Sequence, residues 1–162
     1  MKKTIEINGK RYNYKLFDTT GLIELIKYED HFIKLFANTI KIYRGDESFA
    51  IMDLIDEYMN SPLNSITKYS VIYKKDVIIS TCRFIYTKKR GYFNLVYTNP
   101  EYRGQQICQN HIKYLIGVNK GIQIYELHVL KNNTSAIKCY ENIGFKKIKE
   151  GSHNDYLMRL KK

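Results

Sequence analysis

"NPEYRGQQICQNHIKYLI", residues 99–116, is the stretch from which the rest of the chain is read. Asn99-Pro100 marks a turn, Arg103-Gly104 extends it, and the residues beyond have helical spacing. Just before it, "YFNLVYT" (92–98) is a strand-like run of aromatic and β-branched residues. A strand that ends in a glycine-bearing turn and feeds a helix is a common phosphate-binding arrangement. The helix N-terminus offers unpaired N–H groups and a partial positive charge. The alternative is a plain change of direction, and the surrounding sequence has to separate the two.

Upstream, "TIEINGKRYNYKL" alternates around Asn8-Gly9, a two-residue hairpin signal. Leu22, Leu25, Ile26, Phe32, Ile33, Phe36, Ile40 and Tyr43 then recur at helical spacing. A break at Gly45 separates them from a second helix carrying Phe49, Met52, Ile55 and Met59, stopped at Pro62. "TKYSVIY" and "VIISTCRFIYT" are strands preceding "YFNLVYT". After the quoted helix, "IQIYELHV" is a strand, and residues 133–142 form a helix with Gly144 just past its last turn. "FKKIK" and "YLMRL" close the chain as strands. The order predicts one mixed α/β domain over residues 1–162, with no repeat or linker.

Composition narrows the classes. The 44% hydrophobic and 27% charged content is globular, which excludes wholesale disorder. No apolar run approaches the roughly 18 residues that span a bilayer, and no apolar core follows the N-terminal lysines as in a secretory signal. Cys82, Cys108 and Cys139 are odd in number and match no metal spacing, so the expectation is reduced thiols in the cytoplasm. Residues 1–60 hold nine Lys/Arg and ten Asp/Glu, whereas residues 61–162 hold eighteen and six, so the whole +11 charge resides in the second part. A basic half attracts an anionic cofactor, nucleic acid or an acidic membrane. Nucleic acid and membrane are disfavoured as partners: the lysines are scattered and no recognised nucleic-acid motif appears.

"NPEYRGQQIC" followed by "LHVLKNNTSAIKCYENIGFKKI" resembles the GNAT acyltransferase superfamily, whose members move an acetyl group from acetyl-CoA to an amine. The resemblance rests on residues 92–116 and 127–148, and the element order extends it over nearly the whole chain. It implies a mostly antiparallel mixed sheet with a splayed parallel strand pair at the acetyl-CoA site and helices on both faces. It implies that amides of Arg103, Gly104, Gln105, Gln106, Ile107 and Cys108 grip the diphosphate. It also implies that the peptide groups of Val96, Tyr97 and Thr98 bond the pantetheine arm. Gln106 stands where the family usually has glycine, and Cys108 where it has glycine or alanine; a helical backbone at Gln106 would still leave its N–H available. Cys108 is read as packing, not as a nucleophile.

In the second block, Asn133, Ala136, Tyr140 and Gly144-Phe145 match the family's pattern. Spacings of three and four put Asn133, Ala136 and Tyr140 on one helix face. Asn133 and Ala136 would lie beside the cofactor, and Tyr140 would protonate the departing CoA thiolate; the competing reading of Tyr140 is core packing. His128 is the candidate base, because an amine with a pKa of about 10.4 must lose a proton before it attacks. Glu126 shares its strand face. Asp46, Glu47, Glu150 and Asp155 are candidates to receive a cationic acceptor, or else are solvated loop residues. The reading is an acetyl-CoA-dependent N-acetyltransferase using direct transfer, without metal, as a monomer or homodimer. The alternative, motivated by Gln106, is a non-catalytic CoA-binding or interaction protein that keeps the fold.

Overall fold

The structure is a computed structural model that describes residues 3–17, 66–75 and 77–162. The helices expected between residues 22 and 59 lie outside the described residues. β1 (Lys3–Ile7) and β2 (Lys10–Phe17) form the predicted hairpin. Asn8 and Gly9 both have positive φ, 51° and 72°, which a two-residue turn needs to match strand twist and which Asn-Gly supplies at little cost.

β3 (Ile66–Lys74), β4 (Val77–Tyr86) and β5 (Arg90–Thr98) follow as an antiparallel meander. A 3-10 turn (Pro100–Tyr102) leads to α1 (Ile107–Val118), β6 (Ile124–Leu130) and α2 (Thr134–Ile143), then β7 (Lys146–Glu150) and β8 (Asp155–Lys161). Together they make one eight-stranded sheet in the order β1-β2-β3-β4-β5-β6-β8-β7, parallel only between β5 and β6. The expected mixed α/β class and single parallel pair are observed.

The core explains how the two helices are seated. Phe84, Phe93, Leu127 and Met158 stand opposite one another on β4, β5, β6 and β8, and all are buried. Ile112, Leu115 and Ile116 of α1 and Ile137 and Tyr140 of α2 pack on this row. Each such side chain, fully buried, contributes about 1.5–3 kcal/mol. Gly91 is required here: a Cβ would lie 2.6 Å from Phe84 and 3.2 Å from Tyr125. Gly144, at φ 110°, terminates α2 in the left-handed conformation, and its N–H bonds the carbonyls of Tyr140 and Glu141.

The parallel pair is short. β5 and β6 are in register from Arg90–Ile124 to Phe93–Leu127, and the pairing ends there although both strands continue. The cause is local. Leu95 has φ 48°, and the β4–β5 register shifts between Thr81 and Arg83, so β5 bulges and bends away from β6. Asn94–Thr98 keep β4 on one edge and leave the other to the opening, which is the splay expected at Val96, Tyr97 and Thr98.

Candidate functional site

The turn after β5 is built from its own polar groups. Asn99 Oδ1 accepts from the Glu101 N–H at 3.1 Å, while Asn99 Nδ2 donates to the Ile78 carbonyl at 3.2 Å, so one side chain caps the turn and ties it to β4. Arg103 Nε donates to the Thr98 carbonyl at 3.2 Å, folding its exposed side chain back over the strand end. Gly104 has φ 75°, and a Cβ there would meet nothing within 4 Å: glycine serves the backbone turn, beside open space. The Gln105 carbonyl accepts from Asn8 Nδ2 at 2.9 Å, which braces the turn against the β1–β2 hairpin.

Gln106 corrects one expectation. Its backbone is not helical; φ is 59° and ψ 17°, and α1 begins at the next residue. The position demands a left-handed conformation, which explains why glycine suits it and why a side chain there costs roughly 1–2 kcal/mol. Its carbonyl accepts from the Asn110 N–H and from Asn110 Nδ2, at 3.0 and 2.9 Å, so the strained residue is held by the helix it starts. The N–H groups of the first turn of α1, with Ile107 and Cys108 in it, have no helical carbonyl behind them.

A buried network supports the open strand. His111, on α1 and fully buried, lies between two strand serines, with Nε2 2.6 Å from Ser70 Oγ and Nδ1 2.9 Å from Ser80 Oγ. Ser80 Oγ donates to the Tyr97 carbonyl at 2.8 Å. With that proton committed, Nδ1 donates to Ser80, while Ser70 Oγ donates to the Tyr14 hydroxyl at 3.2 Å. Burial holds the His111 pKa down to about 3. The sequence showed no spacing that singles out His111, because its partners are 41 and 31 residues away on other strands.

On the same face, Asn133 caps α2: its Oδ1 accepts from the Ala136 N–H at 3.2 Å and from Ser135 Oγ at 3.2 Å. Tyr140 is buried, edge-on to Phe145 at 6.1 Å, and belongs to the core cluster that Val96 and Ala136 border. Cys108 Sγ and Cys139 Sγ face each other between the helices at 2.8 Å.

The other face carries His128, the first β6 residue beyond the pairing with β5. Its Nδ1 lies 2.6 Å from Asp155 Oδ2. An ionised carboxylate only accepts, so Nδ1 is the donor in this pair. Asp155 is buried, and Gly151 is what makes room for it: a Cβ at residue 151 would lie 2.0 Å from Asp155 Oδ1. Glu126, two residues before His128, is occupied elsewhere, with Arg159 Nε at 2.8 Å and Nη2 at 2.6 Å from its Oε1 and Arg90 Nη1 at 3.6 Å from its Oε2. Glu150 is exposed and paired with Lys131. Asp46 and Glu47 lie outside the described residues. Among the described residues no three potential ligands gather around a metal position, and no helix is long and apolar enough to cross a membrane.

Residues 34–145 match the sequence model of the acetyltransferase (GNAT) family. No curated protein sequence matches. Among solved structures, the GNAT domain of S. lividans PAT superposes with a TM-score of 0.69 at 12% identity, covering 99% of this chain and 96% of that one. PaiA N-acetyltransferase from Thermoplasma acidophilum, solved in complex with coenzyme A, gives 0.62 at 18% identity over 92% and 99%. Campylobacter jejuni N-acetyltransferase PseH, in complex with acetyl coenzyme A, gives 0.56 at 21% over 91% and 98%. At these identities the likeness is one of fold.

Proposed function

This chain belongs to the acetyltransferase (GNAT) family, and we propose that it transfers the acetyl group of acetyl-CoA to a primary amine by direct attack in a ternary complex. The observation that carries the reading is the opening between β5 and β6 beyond Phe93 and Leu127, with the α1 N-terminus on one side and the His128–Asp155 pair on the other. PaiA and PseH are solved with the cofactor, which supports the same ligand here.

The residues present fit a coenzyme A thioester. Its diphosphate suits the amides from Arg103 to Cys108, where the backbone turns through Gly104 and Gln106 into an uncapped helix start. The pantetheine amides suit the strand edge of Val96, Tyr97 and Thr98, which β6 leaves unpaired. Asn133 closes the start of α2 and the small Ala136 keeps that helix thin beside the arm. The bound thioester supplies an activated acetyl group whose leaving group is a thiol.

The chain's own residues then divide the proton work across the sheet. Asp155 holds the His128 ring with Nε2 as the acceptor, so Nε2 takes the proton from the ammonium form of the acceptor, directly or through water. Tyr140, on the opposite face, gives a proton to the thiolate as it leaves. A cationic acceptor meets Glu150, and Asp155 acts through the imidazole; Asp46 and Glu47, the other two candidates, lie outside the described residues. Localisation in the cytoplasm accords with the free thiols.

An acetyl-transfer screen over polyamines, amino sugars, lysine peptides and protein N-termini, read by thiol release, tests the proposal. Release that depends on both an amine and enzyme supports it. Acetyl-CoA binding with no release from any amine in the panel would favour a non-catalytic CoA-binding protein.

A further inference from the structure

The Cys108 and Cys139 thiols have no part in the chemistry just described, yet they face each other directly between the two helices. Their sulfur atoms are 2.8 Å apart, inside the ordinary separation of non-bonded sulfurs, and both thiols are free and half-buried. One lies in the first turn of α1, where the diphosphate amides are, and the other directly precedes Tyr140 on α2. We propose that Cys108 and Cys139 form a reversible disulfide that clamps α1 to α2 and weakens cofactor binding, making the pair a modification site for a peroxide. The effect on binding rests on the acetyl-CoA reading above; the bond itself does not.

The two thiols are unequal, and the inequality sets the order of steps. The hydrogen bond with Cys108, with the Lys113 ammonium nearby, pulls the Cys139 thiol below its ordinary value. The same bond and burial hold Cys108 well above it. Cys139 therefore ionises before Cys108, and the thiolate is the nucleophile. It attacks hydrogen peroxide, breaking the O–O bond; the sulfur becomes sulfenic acid, and the departing hydroxide takes a proton to leave as water. Cys108 then attacks the sulfenic sulfur, the S–O bond breaks, and the Cys108 proton leaves with the hydroxyl as a second water. One disulfide forms, two electrons pass to the peroxide, and added dithiol reverses the change. Cys82 is not a competitor, because full burial raises its thiol far above the physiological range.

Bond formation brings the sulfurs to about 2.05 Å, so the two helices must close by a fraction of an ångström at their contact. Phosphate contacts at the α1 N-terminus depend on backbone N–H groups whose hydrogen bonds tolerate little displacement. The α2 segment that moves carries Ala136 one turn before Cys139 and Tyr140 one residue after it. The oxidised protein thus presents a distorted cofactor site.

The test treats the intact reduced protein with a small excess of hydrogen peroxide, followed by peptide mass spectrometry and acetyl-CoA calorimetry. The expected result is a Cys108–Cys139 linked peptide with Cys82 still alkylatable, and acetyl-CoA affinity weakened about tenfold or more, restored by dithiothreitol. Cys139→Ala should bind acetyl-CoA like the reduced protein and be indifferent to peroxide. Free, alkylatable Cys108 and Cys139 after peroxide treatment, or a quantitative linkage that leaves affinity unchanged, would overturn the proposal. If the reduced protein itself binds no acetyl-CoA, the functional reading fails and so does the effect assigned to the bond, while the linked peptide still reports whether the bond forms.

Discussion

Asp155 Oδ2 sits 2.6 Å from His128 Nδ1, joining β8 to β6 at the residue where β6 parts from β5. A buried carboxylate in that position costs desolvation, which its hydrogen bond with the His128 ring offsets in part. Asp155→Asn replaces an acceptor-only group by one that also donates, which releases or reverses the tautomer. We expect kcat to fall by about 10²-fold with acetyl-CoA affinity unchanged, and His128→Gln to fall equally. Gly151→Ala should reproduce the Asp155→Asn loss, since the added methyl occupies the carboxylate's place. Wild-type turnover in both Asp155→Asn and His128→Gln would remove the base assignment.

Tyr140→Phe separates catalysis from packing. The ring and its contact with Phe145 stay, and only the hydroxyl is lost. A thiol of pKa near 8.5 leaves more readily than an alcohol, so the acid's share lies at the low end of its usual range, about 10²-fold in kcat. The thermal midpoint and acetyl-CoA affinity should hold nearly constant. An undiminished kcat, with chemistry shown to limit the rate, excludes the acid role.

Gln106→Gly removes a side chain from a left-handed residue. Relief of backbone strain exceeds the extra freedom glycine gives the unfolded chain, so we expect a gain of about 0.5–1 kcal/mol in urea unfolding. Acetyl-CoA affinity should be unchanged or improved. A loss of stability would mean that the Gln106 side chain makes a compensating contact.

His111 makes stability depend on pH. Its folded pKa, about 3, lies below the value near 6.5 of an unfolded histidine, so the unfolded chain binds the proton first as pH falls. The contribution is intact above pH 6.5 and is lost progressively between there and pH 3, at about 1.4 kcal/mol per unit. Urea titrations at pH 7 and pH 5 should therefore differ by about 2 kcal/mol from this residue, and His111→Gln should flatten that interval. Equal slopes in the two proteins would show that the ring is charged in the folded state.

The strands were legible because each is amphipathic or aromatic and bounded by a strong turn: Asn8-Gly9 and Gly144 acted as predicted. The turn after β5 was legible through Gly104, and with the Asn133–Phe145 pattern it identifies a family that either alone would not. What escaped the sequence is what depends on distant pairing. Asp155 read as an acceptor-binding carboxylate because nothing in one dimension puts it against His128, 27 residues earlier. His111 read as unremarkable because Ser70 and Ser80 reach it only through the meander. Gln106 read as helical because its handedness is set by the turn behind it, not by its own propensity.

The proposed function requires a coenzyme A thioester held at the β5–β6 opening with its phosphates on α1. Calorimetry with acetyl-CoA, dephospho-CoA and acetyl-pantetheine tests it most directly. One acetyl-CoA per chain should bind, with acetyl-pantetheine at least about tenfold weaker for want of the charge-assisted phosphate bonds and dephospho-CoA between the two. No heat from acetyl-CoA at millimolar concentration, or equal affinity for the phosphate-free arm, would contradict it.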